Sequence, residues 1–161
     1  MYKIAIYSRV STNNQNTEMQ EREINAFIAS KTDFKLVDLF SDKGVSGSKS
    51  SRPELNRLME SARNKEFEIL IIWKLDRLAR SLSHLVAIIT ELKELGIQLI
   101  SLRDNIDFTT PQGRLMFGIF ASLAEFEREL IRERVKAGIN NAKAKGKKLG
   151  RTKLRNDDEI L

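Results

Sequence analysis

The sequence predicts an α/β domain: a mostly parallel central sheet of four to five strands flanked by helices, with a long C-terminal helix protruding for oligomerisation. Three observations carry that prediction. Short β-branched apolar runs alternate with helical periodicity between residues 3 and 102. One of those runs, Glu68 to Lys74 (EILIIWK), is apolar without alternation, the pattern of a strand buried on both faces. From Gly113 to about Lys145 no proline interrupts a repeat of apolar residues every three or four positions.

Lys3 to Ser8 (KIAIYS) reads as the first strand, followed by a polar STNNQN loop. A helix then opens where Thr17 and Gln20 have capping-box spacing, with Ile24, Phe27 and Ile28 as its apolar face. Phe34 to Phe40 alternates as a second strand, and DKGVSGSKSSRP, the richest Gly/Ser stretch, is a loop. Ser51 and Glu54 bracket Pro53 in another capping-box pattern, which starts a helix running to about Asn64. After the EILIIWK strand, a helix from about Ser81 to Leu95 stops at Gly96, and Ile97 to Leu102 is a fourth strand. The last helix, with Met116, Ile119, Phe120, Leu123, Phe126, Leu130 and Ile131 as its apolar positions, is about 50 Å long at 1.5 Å per residue. A compact domain of this length has a radius of gyration of only about 15 Å. The helix is therefore expected to overhang its own domain and to pair with a partner surface.

Composition narrows the chemistry. The 161 residues include no cysteine and one histidine. Disulfides, thiolate metal sites, cysteine nucleophiles and any site needing two imidazoles are thereby excluded, leaving hydroxyls, carboxylates, amides and guanidinium groups. No apolar run approaches the roughly 18 residues of a membrane helix, and the start, MYKIAIYSRVST, holds too short an apolar stretch for a secretory signal. An intracellular, soluble chain is expected. The net charge is +6, with a pI near 9.7, and its placement is uneven. Nine basic and no acidic residues lie between Arg134 and Arg155, so the preceding body is neutral. Such a block points to a polyanionic partner.

Three clusters can do chemistry. Tyr7, Arg9 and Ser11 alternate where the first strand ends and so point the same way, which lets a serine beside an arginine face a phosphate. In Leu75-Asp76-Arg77-Leu78-Ala79-Arg80 the three- and four-residue spacings bring Asp76, Arg77 and Arg80 onto one helical face, able to grip a phosphodiester. The loop ending in Ser46, Gly47 and Arg52 can close over a bound phosphate. It is not a P-loop, because two residues rather than four follow Gly44 before the next glycine, and Ser48 separates Gly47 from Lys49. Alone, each cluster also reads as ordinary structure: a turn serine, a surface ion-pair ladder worth under about 1 kcal/mol, a mobile loop. His84, one turn beyond Arg80, reads as a solvated or packing residue.

Taken together, these segments resemble the catalytic domain of the serine recombinases, the resolvases and DNA invertases. The resemblance rests on YSRVST at 7–12, the Ser46-Gly47 to Arg52-Pro53 segment, KLDRLAR at 74–80, Gly113 through EFERELIRERV, and Gly150-Arg151, in family order over nearly the whole chain. It implies that Ser11 attacks a DNA phosphate to give a 5′-phosphoserine link and a free 3′-hydroxyl, followed by strand exchange and religation without ATP. Arg9, Arg77, Arg80 and Arg52 would stabilise the developing dianionic phosphorane. Asp76 is the candidate acid for the leaving alcohol, with an arginine as its rival. Gln15, Gln20 and Arg128 match residues of the family's site, and Tyr7 and Ser46 stand in the matching motifs.

Arg134, Lys143, Lys145, Lys147, Lys148, Gly150 and Arg151 form the expected DNA-binding set, the last pair resembling an arm that enters the minor groove. The resemblance implies no metal and no cofactor. The implied partners are a double-stranded DNA crossover site and a homodimer pairing into a tetramer at synapsis, with no membrane. The implied location is the cytoplasm, in a bacterial or archaeal nucleoid or from a mobile element. The expected divisions are a catalytic core over 1–110, an oligomerisation and DNA-contacting helix over 111–145, and a basic arm over 146–161 leading toward a C-terminal DNA-binding domain missing from the chain. Two rival readings stay open: a metal-dependent nuclease using Asp42, Asp76, Asp104 or Asp107, and a non-catalytic DNA-binding or assembly module.

Overall fold

Strands rich in β-branched residues and helices with one apolar face leave a single economical arrangement, a sheet between two helical layers. The computed structural model describes residues 1–10, 14–43, 52–147 and 150. Its elements are β1 (Tyr2–Val10), α1 (Asn14–Ala29), β2 (Phe34–Lys43), α2 (Pro53–Arg63), β3 (Ile69–Ile72), α3 (Leu75–Leu78), α4 (Leu82–Glu94), β4 (Gln98–Ser101), β5 (Ile106–Asp107) and α5 (Pro111–Ala144). The sheet order is β2-β1-β3-β4-β5, parallel except for the antiparallel β4-β5 pair. The expected α/β class, mostly parallel sheet and long last helix are all present.

Alternation along the strands builds two cores. Ala5, Tyr7, Leu70, Ile72 and Leu99 pack on one side with residues of α2, α3 and α4, while Ile4, Ile6, Ile69 and Ile71 pack on the other with Ile24 of α1. All four residues of β3 are buried, as its unbroken apolar run requires. Each such aliphatic side chain contributes roughly 1.5–3 kcal/mol. The chain leaves β1 for β2 on one side and later places β3 on the other, with α1 and α2 on opposite faces. In such sheets the usual ligand position is the crevice beyond the carboxyl ends of the strands where the order reverses, which here are β1 and β3.

The structure corrects several local expectations. Helix α1 begins at Asn14, ahead of Thr17, so the Thr17–Gln20 spacing does not start it. Strand β2 runs past Phe40 to Lys43, its last residues pairing with Ser8, Arg9 and Val10. Helix α2 has Arg52 at its N-cap without a side-chain cap bond, so the Ser51–Glu54 pattern does not start it. Asp76, Arg77 and Arg80 do not share a helical face: α3 is a single turn, Ala79 is extended, and Ser81 caps α4 by accepting the His84 N–H at 3.2 Å. The Leu78 carbonyl is taken by Arg52 Nη1 at 2.7 Å and Ser81 caps a new helix three residues on, which leaves α3 at one turn.

The chain forms two compact units, Met1–Ala124 and Glu125–Leu161. Within the first, Thr110 Oγ1 accepts the Gly113 N–H at 3.1 Å and Pro111 occupies the first turn of α5. A Cβ on Gly113 would collide with the backbone of Asp107 and Phe108, so only glycine lets α5 approach β5 this closely. Phe117 and Phe120 pack against the first core, while Leu115, Ile119 and Leu123 are exposed. Within the second unit, α5 exposes Phe126, Ile131, Val135 and Ile139. Among the described residues no helix is long and apolar enough to cross a membrane.

Candidate active site

The crevice is lined by groups from the ends of β1, β2 and β3. Tyr7 is fully buried, and its hydroxyl donates to Asp42 Oδ2 at 3.0 Å. Burial, then the Asp42 charge and hydrogen bond, raise the Tyr7 pKa far above the ordinary phenol value. Asp42 lies abreast of Arg9 in the β1-β2 register, yet its oxygens also accept the Glu54 and Leu55 N–H groups, each at 3.1 Å. A strand-end carboxylate thus caps α2 from 12 residues away.

The same device recurs at α3. Asp104 Oδ2 accepts the Leu75 N–H and the Ser101 hydroxyl, both at 2.7 Å. Asp107 accepts from the N–H and hydroxyl of Thr109 in a local turn. These three carboxylates are committed to structure, which removes the support for the nuclease reading built on Asp42, Asp76, Asp104 and Asp107.

The arginines are held differently. Arg9 Nη2 donates to the Asp76 carbonyl at 3.3 Å, and buried Arg52 donates from Nη1 to the Leu78 carbonyl at 2.7 Å. Arg77 Nε stands 3.6 Å from Asp76 Oδ1, beyond hydrogen-bonding distance, with its guanidinium 6.0 Å from the Trp73 ring centre. Burial lowers the Arg52 pKa, and the neighbouring Arg80 and Arg9 charges lower it further against the opposing pull of Tyr7 and Asp42. Arg9, Arg52 and Arg80 therefore share one field. Among the described residues, buried Nε of Arg9, Nε and Nη2 of Arg52, and Nε of Arg77 have no hydrogen-bond acceptor. Buried donors without acceptors leave guanidinium groups able to take an anion.

The remaining sequence-derived residues sort unevenly. Gln20 is buried on α1 with its Oε1 unpartnered. Asp76 is half-exposed, its side chain 53% accessible. Ser11, Ser46, Lys148 and Arg151 lie outside the described residues, and Gln15 is described only as a position on α1. Arg128, Arg134, Lys143, Lys145, Lys147 and Gly150 are exposed, all in the second unit.

Sequence reasoning missed the anchoring roles of Asp42 and Asp104, whose hydrogen bonds to helix starts span 12 and 29 residues, and the contact of Trp73 with Arg77. It also set His84 aside. Burial, followed by the charges of Arg52 and Arg80, lowers the His84 pKa, which puts this imidazole in the field of the arginine cluster. The only local signal for Trp73 was its place just before KLDRLAR.

The fold is that of an α/β enzyme domain with Arg9, Arg52 and Arg77 near the carboxyl ends of β1, β2 and β3. The sequence matches the family described as Resolvase, N terminal domain, over residues 4–148. It is 44% identical over 145 residues to the serine recombinase gin of Escherichia phage Mu, covering 90% of this chain and 70% of that protein. It is 42% identical over 156 residues to the transposon Tn552 resolvase of Staphylococcus aureus, covering 96% and 74% respectively. A solved structure of a resolvase family site-specific recombinase from Streptococcus pneumoniae superposes with a TM-score of 0.75 at 30% identity, over 89% of this chain and 99% of that one. The chain belongs to the serine recombinase family, among the resolvases and DNA invertases.

Proposed function

We propose that this protein recombines duplex DNA by serine transesterification. Ser11 Oγ attacks a backbone phosphorus, the P–O3′ bond breaks, the serine proton is lost and the leaving O3′ gains one. The products are a 5′-phosphoserine link and a free 3′-hydroxyl. The phosphodiester energy stays in the new P–O bond, so the reverse attack by a 3′-hydroxyl reseals a strand without ATP.

The observation that supports the reading is the set of buried guanidinium N–H groups on Arg9, Arg52 and Arg77 that have no acceptor among the described residues, on segments that follow the ends of β1, β2 and β3. The phosphorane gains negative charge as it forms, and preorganised donors stabilise that charge more than the ground state. Tyr7 and Gln20 would support the site, and Asp76, half-exposed beside Arg77, would serve the leaving oxygen. The exposed basic residues Arg134, Lys143, Lys145 and Lys147 fit contact with DNA phosphates. Exposed apolar side chains on α5 fit a homodimer that pairs into a tetramer at synapsis.

The test is a covalent adduct. The protein is incubated with a crossover-site duplex, denatured and digested, and the phosphorylated residue is located by mass spectrometry. Phosphate on Ser11, lost in Ser11→Ala, is expected; phosphate elsewhere, or cleavage that survives Ser11→Ala, overturns the reading.

A further inference from the structure

Trp73 is the chain's one tryptophan, and it stands at the carboxyl end of β3 just before α3. The guanidinium groups of Arg77 and Arg103 lie 6.0 Å and 5.6 Å from its ring centre. Its indole N–H donates to Glu23 Oε2 of α1 at 2.8 Å, and the same carboxylate accepts from Arg103 Nε at 2.9 Å. The Trp73 and Arg103 hydrogen bonds keep the Glu23 carboxyl below its usual pKa, so it stays anionic. Ring orientation is therefore fixed from α1, and the charge of Arg103 is answered by Glu23.

Among the described residues Arg77 has no equivalent carboxylate bond: its Nε is buried without an acceptor, with Asp76 Oδ1 3.6 Å away. An aromatic ring attracts a guanidinium without accepting its in-plane N–H bonds. It can thus locate the group while leaving its charge and donors available. Arg57 shows the alternative. It lies 4.2 Å from the Phe40 ring centre but is bonded to Asp38 at 2.6 Å and Glu54 at 2.8 Å, which commits its donors.

We propose that Trp73 is a positioning residue for Arg77, holding its guanidinium toward the reacting phosphate by ring contact while Glu23 locks the ring. The role in the reaction rests on the proposed transesterification; the positioning itself does not.

Two measurements separate these claims. In the full chain without DNA, the Arg77 Nε–H resonance, assigned by its loss in Arg77→Lys, is expected to carry a ring-current shift. That shift should disappear in Trp73→Leu and persist in Trp73→Phe. An Arg77 resonance unmoved by Trp73→Leu overturns the proposal whatever the protein does to DNA. With a crossover-site duplex at saturating protein, Trp73→Leu is expected to slow formation of the serine adduct about tenfold. Trp73→Phe should restore it to within about threefold, with DNA affinity changed less than twofold in both. Equal rates in wild type and Trp73→Leu overturn the catalytic part. Absence of an adduct in wild type overturns the transesterification reading instead, and the resonance still decides the positioning. Melting temperatures of both variants identify a loss caused by unfolding.

Discussion

Replacing Asp42 by alanine tests whether the site is organised by a carboxylate that bonds backbone rather than arginine. The substitution strips acceptors from the Tyr7 hydroxyl at 3.0 Å and from the Glu54 and Leu55 N–H groups at 3.1 Å, all at a side chain that is 5% exposed. Hydrogen bonds to a charged group contribute about 1.5–3 kcal/mol each, but the three share one carboxylate and water can reach part of the α2 terminus, so a total near 3–5 kcal/mol is expected. For a chain of this size that is a fall in Tm on the order of 10 °C. Asp42→Asn keeps one oxygen and should lose about half as much. Urea unfolding and calorimetry measure both, and a double-mutant cycle with Tyr7→Phe should return a coupling of about 1–2 kcal/mol. A loss below about 1 kcal/mol for Asp42→Ala, or strict additivity with Tyr7→Phe, refutes the capping role.

Other expectations follow from the same geometry. Arg52→Lys keeps a charge but loses the planar fork, so adduct formation should slow by about two to three orders of magnitude; a rate within threefold of wild type would remove Arg52 from the site. Tyr7 has a folded pKa raised above the ordinary value near 10. Its stabilisation is therefore complete below about pH 10 and declines as pH rises from there through the folded value. Tyr7→Phe should show a shallower alkaline loss of stability, and identical slopes in the two proteins would contradict the buried phenol. Gly113→Ala forces a Cβ against the Asp107 carbonyl and should cost at least about 2 kcal/mol in urea unfolding, whereas Gly118→Ala, with open space at its Cβ, should not destabilise α5.

Much of the fold was legible because period and composition are local properties. The unbroken β-branched run of β3, the Gly96 stop after α4 and the proline-free length of α5 each declare an element within a few residues. Capping-box spacing misplaced two helix starts. Helix α1 begins at Asn14, ahead of Thr17, and α2 has Arg52 at its N-cap with its first N–H groups bonded to Asp42, 12 and 13 residues away. Helical spacing likewise grouped Asp76, Arg77 and Arg80, whereas α3 ends after one turn, with the Leu78 carbonyl taken by Arg52 from 26 residues away and Ser81 capping the next helix. What does bring Arg80 to Arg52 and Arg9 is the fold around the crevice, which their mutual electrostatic effects record and which no sequence window contains.

The arginines of this chain separate by what holds them. Arg57, Arg63 and Arg103 bond to carboxylates, and such partly exposed pairs contribute at most about 1 kcal/mol each while neutralising the charge they hold. Arg9 and Arg52 are instead fastened by single backbone carbonyls, and Arg77 by a ring, so their positions are fixed and their charges remain uncompensated by hydrogen-bonded carboxylates. Two acids near them bond backbone instead of guanidinium: Asp42 and Asp104 bind the N–H groups that begin α2 and α3. Those carboxylates anchor the helix starts beside Arg52 and Arg77, and Asp42 offsets the Arg52 charge only in part, since the Arg52 pKa is lowered overall. Burial and the neighbouring Arg80 and Arg9 charges lower the Arg52 pKa, and under the proposed transesterification an incoming phosphate would offset that repulsion most when its charge is greatest. Such a site would favour a phosphorane over a ground-state diester without needing an imidazole, which is the chemistry the composition left open.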